Sequence, residues 1–182
     1  MAKTSRKTFL SDLSKLAGTL RATIEARVAG FDPDPAAQHE RRRQAMDGFR
    51  FFVETYFPHY TRYAPSILHE YLFTALPTQA QAQGRRLAVA APRGEAKSTI
   101  VSLAYVLWCV LTGRKRYACL IMDAFEQAAT MLAAVKAELE VNPRLAMDFP
   151  EAVGEGNVWQ EGVVTTRNNI KIQAFGSGKR MR

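Results

Sequence analysis

Leu10, Leu13, Leu16, Leu20, Ile24 and Val28 recur at helical spacing, which predicts an amphipathic helix over about Thr8 to Val28. Gly30-Phe-Asp-Pro-Asp-Pro35 interrupts it, and Asp34 with Pro35 supplies an N-cap and a first-turn proline. A second helix is expected from about Ala36 to Thr55. Tyr56-Phe-Pro-His-Tyr-Thr-Arg-Tyr-Ala-Pro65 is an aromatic-rich loop leading to a short helix, Ser66 to Leu76, and then a polar linker to Gly84. Leu87 to Ala90 reads as a buried strand, and the apolar run Ile100 to Leu111 as a buried helix stopped by Gly113. A strand over Tyr117 to Met122 and an amphipathic helix over Glu126 to Glu140 follow, the helix ending before Asn142-Pro143. Between Asn157 and Phe175 a β-hairpin is expected, Val163-Val-Thr-Thr pairing with Ile170-Lys-Ile-Gln-Ala around Arg167-Asn168-Asn169. The order βαβα plus a hairpin predicts an α/β sandwich with a parallel core sheet behind N-terminal helices.

The candidate chemistry lies between the first strand and its helix. In Arg86-Leu-Ala-Val-Ala-Ala-Pro-Arg-Gly-Glu-Ala-Lys-Ser-Thr99, a strand enters a tight loop, then Lys97-Ser98-Thr99, then the helix. A phosphate-binding loop has this order: backbone N–H groups and a helix N-terminus face the phosphates, the lysine reaches the β/γ oxygens, and the hydroxyl holds Mg²⁺. The usual glycines are replaced by Ala91 and Ala96, and the loop's one glycine is Gly94. Alanine is comfortable in the right-handed helical region, so Ala96 is expected there and Gly94 at any positive φ. Arg93 adds a second cation able to neutralise charge on a γ-phosphate; the structural alternative is pairing with Glu95 or Glu70. The aromatics of residues 56–65 either flank a nucleobase or pack a helix onto the sheet, the commoner use of such residues.

Composition narrows the field. With 182 residues, 47% hydrophobic and 23% charged, the chain has the makings of one folded core and little more than a helical appendage. A net charge of +8 favours an anionic partner, nucleic acid or nucleotide. The basic triplet Arg41-Arg42-Arg43 is either a solvated helix face, the usual fate of such a run, or a DNA or partner contact. The longest apolar run is too short to span a bilayer, and the N-terminus has no secretory core. Cys109 and Cys119 read as buried free thiols of a reducing cytoplasm, and three scattered histidines have no metal-ligand spacing.

Ala91-Pro-Arg-Gly-Glu-Ala-Lys-Ser-Thr99 resembles the Pro-Arg-Gly-x-x-Lys-Ser/Thr phosphate loop of the large terminase subunits of tailed phages and prophages. The strand Tyr117 to Asp123 followed by Phe125-Glu-Gln-Ala-Ala is similar, as are Glu138 to Leu145, Asp148-Phe-Pro and Ile170 to Arg182. The resemblance runs from about Phe57 to the last residue. It implies a P-loop ATPase fold of the additional-strand type, incomplete here, with a helical region over 1–56 and the first half of the ATPase domain over 57–182. It implies an ATP-driven motor that packages double-stranded viral DNA into procapsids in the bacterial host cytoplasm. The motor would be a homo-oligomeric, pentameric ring partnered by the portal protein and the small terminase subunit. ATP would lie on Arg93, Gly94, Glu95, Ala96, Lys97, Ser98 and Thr99, with Mg²⁺ on Ser98 and catalytic roles for Arg93, Lys97 and Arg182. Arg182 sits where the family carries an arginine that reaches a neighbouring subunit's γ-phosphate.

Hydrolysis also needs a strand ending in carboxylates that hold Mg²⁺ and activate water. No apolar strand in the chain ends in Asp-Glu or Asp-Asp; in the family that strand follows the glycine-rich segment in which this sequence stops, and the two-metal nuclease domain lies further on. Two other functions stay open: a non-catalytic remnant binding nucleotide or DNA, and a compact kinase-like enzyme using Asp123 at the end of Ala118-Cys-Leu-Ile-Met-Asp123. The alanine after Asp123 favours an ordinary strand end there.

Overall fold

Apolar residues at helical spacing, capped by a proline or an Asx or serine side chain, set most element starts. The computed structural model describes residues 5–81 and 84–178. Ser5 caps α1 (Arg6–Arg27), its hydroxyl accepting from the Thr8 amide. Only the end of α1 is buried: Ile24 and the C-cap residue Val28 meet Ala137 far along the chain, while Arg21 pairs with Glu140. Asp34 accepts from the Ala36 amide at 2.9 Å, and Pro35 opens α2 (Pro35–Asp47).

The single helix expected to Thr55 is two. Gly48 adopts an extended conformation, closes α2 through its amide to Gln44 O, and precedes α3 (Phe49–Tyr56). The break turns Phe49, Phe52, Val53 and Tyr56 together into the core. α4 (Ile67–Gln81) outlasts its expected end and passes through Pro77, because Leu76 and Ala80, one turn apart, both bury against the core. The buried helix after the loop opens with a widened π-helical stretch, Thr99–Ala104, and continues as α5 (Tyr105–Leu111). Gly113, at φ +69°, ends it as expected.

β1 (Tyr117–Met122), α6 (Phe125–Val141), the short α7 (Pro143–Asp148), β2 (Glu155–Trp159), β3 (Val163–Thr166) and β4 (Lys171–Gly176) complete the fold. The sheet order is β1-β4-β3-β2. β1 and β4 are parallel, from Tyr117↔Lys171 to Met122↔Gly176; β4 with β3 and β3 with β2 are antiparallel. The expected hairpin is therefore present, but the sheet is mixed, not wholly parallel. Asn157, read as the start of the hairpin region, falls inside a further strand, β2. The architecture is mixed α/β, a four-stranded sheet carrying α6 on β1 and β4.

Leu87 to Ala90 is not a buried strand. It has no ladder partner among the described residues, and only alternate side chains, Leu87 and Val89, are half-buried against the core. An apolar run becomes a strand when a neighbour takes its backbone bonds, and residues 87–90 take part in none of the ladders of the β1-β4-β3-β2 sheet. Cys109 is buried as expected, but Cys119 is exposed, because alternation along β1 turns Tyr117, Cys119 and Ile121 to the open side while Leu120 enters the core.

One hydrophobic cluster runs from Ala45 through Phe52, Leu72, Trp108, Leu132 and Phe149 to Ala174, joining α2, α3 and α4 to the sheet. The two buried carboxylates beside it, Asp148 and Glu138, are paired. Asp148, fully buried, accepts two hydrogen bonds from Arg41 at 2.9 Å and one from the Tyr56 hydroxyl at 2.8 Å. Glu138, also fully buried, meets His59 Nε2 at 2.8 Å and accepts from Asn142 at 2.8 Å. The basic triplet is absorbed by these contacts: Arg42 pairs with Glu151 and Arg43 with Glu40, alongside Arg41 with Asp148.

Candidate functional site

The loop between Leu87 and the π-helical stretch is held in a shape its sequence does not favour. Gly94 takes φ +91°, the role expected of it. Ala96 takes φ +48°, in the left-handed region and not the right-handed one expected for alanine. The reason lies in the chain path: helical conformation begins at Lys97, and Ala96 is the last residue able to turn the loop into it. Gly94 and Ala96, both at positive φ, flank Glu95, and the helix that follows begins at the half-buried Lys97 and the exposed Ser98.

Lys97 braces this loop. Its ammonium donates to Ala91 O at 2.7 Å and to Pro92 O, bonding across to the loop's entry. A second brace comes from α4. The Ser66 hydroxyl accepts from the His69 amide at 3.4 Å, and the His69 ring returns the bond: its Nδ1 accepts from the Ser66 amide at 3.2 Å. This reciprocal cap leaves Nε2 as the N–H end of the ring, 3.0 Å from Glu95 O.

Between α4, the 57–65 segment and the loop lies a cavity of about 620 Å³. Tyr60, Arg62 and Tyr63 line one side, Gly94, Ala96 and Thr99 the other. The aromatic segment thus divides: Tyr56 and Phe57 are core residues with no exposure, whereas Tyr60 and Tyr63 face the cavity, Tyr63 at 89% exposure. Burial beside Glu138 pushes the Tyr60 phenol well above the ordinary tyrosine range, so it stays protonated.

The loop's charges are available. Arg93 is exposed and forms no ion pair with another described residue; its candidate partner Glu70 is held by Arg50 at 2.8 Å. Ser98 is exposed in the first turn and Thr99 is half-buried. Glu95 gives its carbonyl, not its carboxylate, to the site. Arg93, Gly94, Glu95 and Ala96 lie in the loop, Lys97, Ser98 and Thr99 in the first turn of the helix after it, and Arg182 lies outside the described residues. Asp123 is exposed just past β1, with its main-chain carbonyl accepting from the Ser177 hydroxyl at 3.3 Å. No group of three or more His, Cys, Asp or Glu side chains that could hold a metal ion is present among the described residues. No helix among them is long and apolar enough to cross a membrane.

His69 is the site residue that sequence reasoning missed. Histidine spacing was silent, but Ser66-x-x-His69 ahead of the apolar run Leu72, Phe73 and Leu76 has capping-box form, and only folding brings its far nitrogen to Glu95. Chemically, the arrangement can hold a chain of phosphates at the loop and a flat, partly apolar group in the cavity, whose volume is in the range of small-molecule sites. No family model matches the chain, and no curated protein and no solved structure matches it either.

Proposed function

We propose that the chain is the nucleotide-binding part of a large-terminase-like, DNA-packaging motor ATPase with a P-loop fold. The observation that carries the reading is the loop itself. Lys97 stands at the head of a buried helix, its ammonium spanning the loop entry at 2.7 Å from Ala91 O, with Arg93 free of ion pairs among the described residues and a cavity alongside. In this reading the triphosphate displaces the two carbonyls from Lys97, which then grips the β/γ oxygens. Arg93 offers a bidentate guanidinium to the terminal phosphate. The nucleoside enters the cavity between Tyr60, Tyr63 and Thr99.

Mg²⁺ fits the donor set in part. The exposed Ser98 hydroxyl is a suitable hard ligand, and phosphate oxygens with water are the usual remainder of a Mg²⁺ shell. When bound, the ion would neutralise charge on the β/γ-phosphates. In the full motor, Arg182 acts on a neighbouring subunit's nucleotide, and the ring, double-stranded DNA, portal and small terminase subunit belong to the same reading, in the bacterial host cytoplasm. The triplet Arg41 to Arg43, consumed by Asp148, Glu151 and Glu40, is not assigned to DNA.

Calorimetric titration of the 182-residue chain with MgATP tests the reading. Binding is expected, with Lys97→Ala weakening it at least about tenfold through loss of a charged hydrogen-bond donor. Equal affinity in the variant overturns the assignment. The kinase-like alternative makes its own demand: Asp123→Asn would abolish steady phosphate release, whereas here the substitution leaves MgATP affinity unchanged.

A further inference from the structure

We infer that His69 is a positioning residue for the phosphate loop, latching the Glu95 carbonyl so that the loop keeps its anion-binding shape when Lys97 lets go. The inference rests on the nucleotide-binding reading above. Its starting point is an oddity of the loop: a left-handed alanine at φ +48° is disfavoured and persists only where surroundings hold it. Two side chains hold it. Lys97 ties down Ala91 O and Pro92 O, and His69 Nε2 ties down Glu95 O at 3.0 Å.

These braces differ in what a ligand does to them. Lys97 is the group that a phosphate takes away, so its bonds to the loop are lost on binding. The His69 contact has no such competitor, because its acceptor is a main-chain carbonyl and its other nitrogen is engaged by Ser66 at 3.2 Å. Peptide planarity supplies the consequence. With the Glu95 carbonyl turned to His69, the N–H of Ala96 in the same trans peptide points the opposite way. Holding the carbonyl therefore aims an amide and maintains the turn that presents the N–H groups of Lys97 and Ser98. The ring is itself fixed from both ends: the Ser66 amide sets its tautomer, and α4, anchored by Leu72, Phe73 and Leu76, sets its position. His69 thus acts through the loop and need not touch the phosphates.

The test compares the 182-residue chain with His69→Ala and His69→Gln, titrating each with MgATP and with inorganic tripolyphosphate, and recording melting temperatures. His69→Ala should weaken both ligands about fivefold, the effect of one neutral hydrogen bond. His69→Gln, whose amide can donate to the same carbonyl, should restore both to within about twofold at a similar melting temperature. Unchanged affinity in His69→Ala overturns the latch while leaving the nucleotide site standing. A loss confined to MgATP, with tripolyphosphate unaffected, also overturns it, because it would mark His69 as a nucleoside contact. Failure of the wild-type chain to bind either ligand removes the site and the latch together. Long-range ¹⁵N–¹H correlation on the wild-type chain gives a check that needs no variant: a neutral ring protonated on Nε2 is expected, and an Nδ1–H tautomer refutes the geometry.

Discussion

Arg41→Ala should be among the most damaging substitutions in this chain that leave the candidate site untouched. The Asp148 carboxylate is wholly buried, and its partners are the Arg41 guanidinium, bonded through both prongs at 2.9 Å, and the Tyr56 hydroxyl at 2.8 Å. Removing Arg41 strands a carboxylate in the core with one neutral donor, and breaking a buried pair from one side costs about 3–5 kcal/mol. Arg41 also lies 4.0 Å from the centre of the Phe31 ring, so its truncation loses packing as well as charge. For a chain of this size about 2–4 °C of melting temperature accompanies each kcal/mol, so a fall of about 6–20 °C is expected. Urea unfolding followed by tryptophan fluorescence gives the free energy, and calorimetry gives the melting temperature. The triple variant Arg41→Met, Tyr56→Phe, Asp148→Leu should recover most of the loss, since it removes the stranded charge together with the hydroxyl that would otherwise lose its acceptor. A loss below about 1 kcal/mol for Arg41→Ala would refute the reasoning, because a stranded core carboxylate costs more than that.

Other expectations follow from single features. Ala96→Gly removes a left-handed alanine worth about 1–2 kcal/mol of strain at a cost of about 0.5–1 kcal/mol in glycine freedom, so melting should rise by a few degrees; a fall would refute the strain. Ellman's reagent should modify one thiol rapidly, Cys119, and the second only on unfolding, because burial both shields Cys109 and pushes its thiol up; rapid loss of both would contradict the packing. Glu40, bonded by Arg43 and Gln44, should titrate at about 2 instead of 4.5, and Arg43→Ala should return it toward the ordinary value. Because that carboxyl is lowered on folding, its small contribution is present above pH 4.5 and lost as pH falls through about 2; a carbon-detected titration with its midpoint at 4.5 would refute the contact.

Periodicity and caps determined much of this protein without help. The helix over 126–140, the Asp34-Pro35 start and the hairpin around 167–169 are all present, because each rests on interactions within a few residues; the strand over 117–122 is present too, its alternation legible but its partner, residues 171–176, supplied by the fold. Local pattern also marked Gly94 as a residue of positive φ. Tertiary structure decided the rest. An apolar run at 87–90 carries no information about whether a neighbour will take its backbone bonds, and here none among the described residues does. The triplet Arg41 to Arg43 reads as one basic face, yet Asp148 and Glu151, far along the chain, claim two of its three members. Ala96 is pushed into the left-handed region by the path between loop and helix, against its own preference. His69 reaches Glu95 only once α4 docks beside the loop. A sequence displays the preferences of neighbouring residues; which distant groups meet, and which preference yields when they do, is settled by packing.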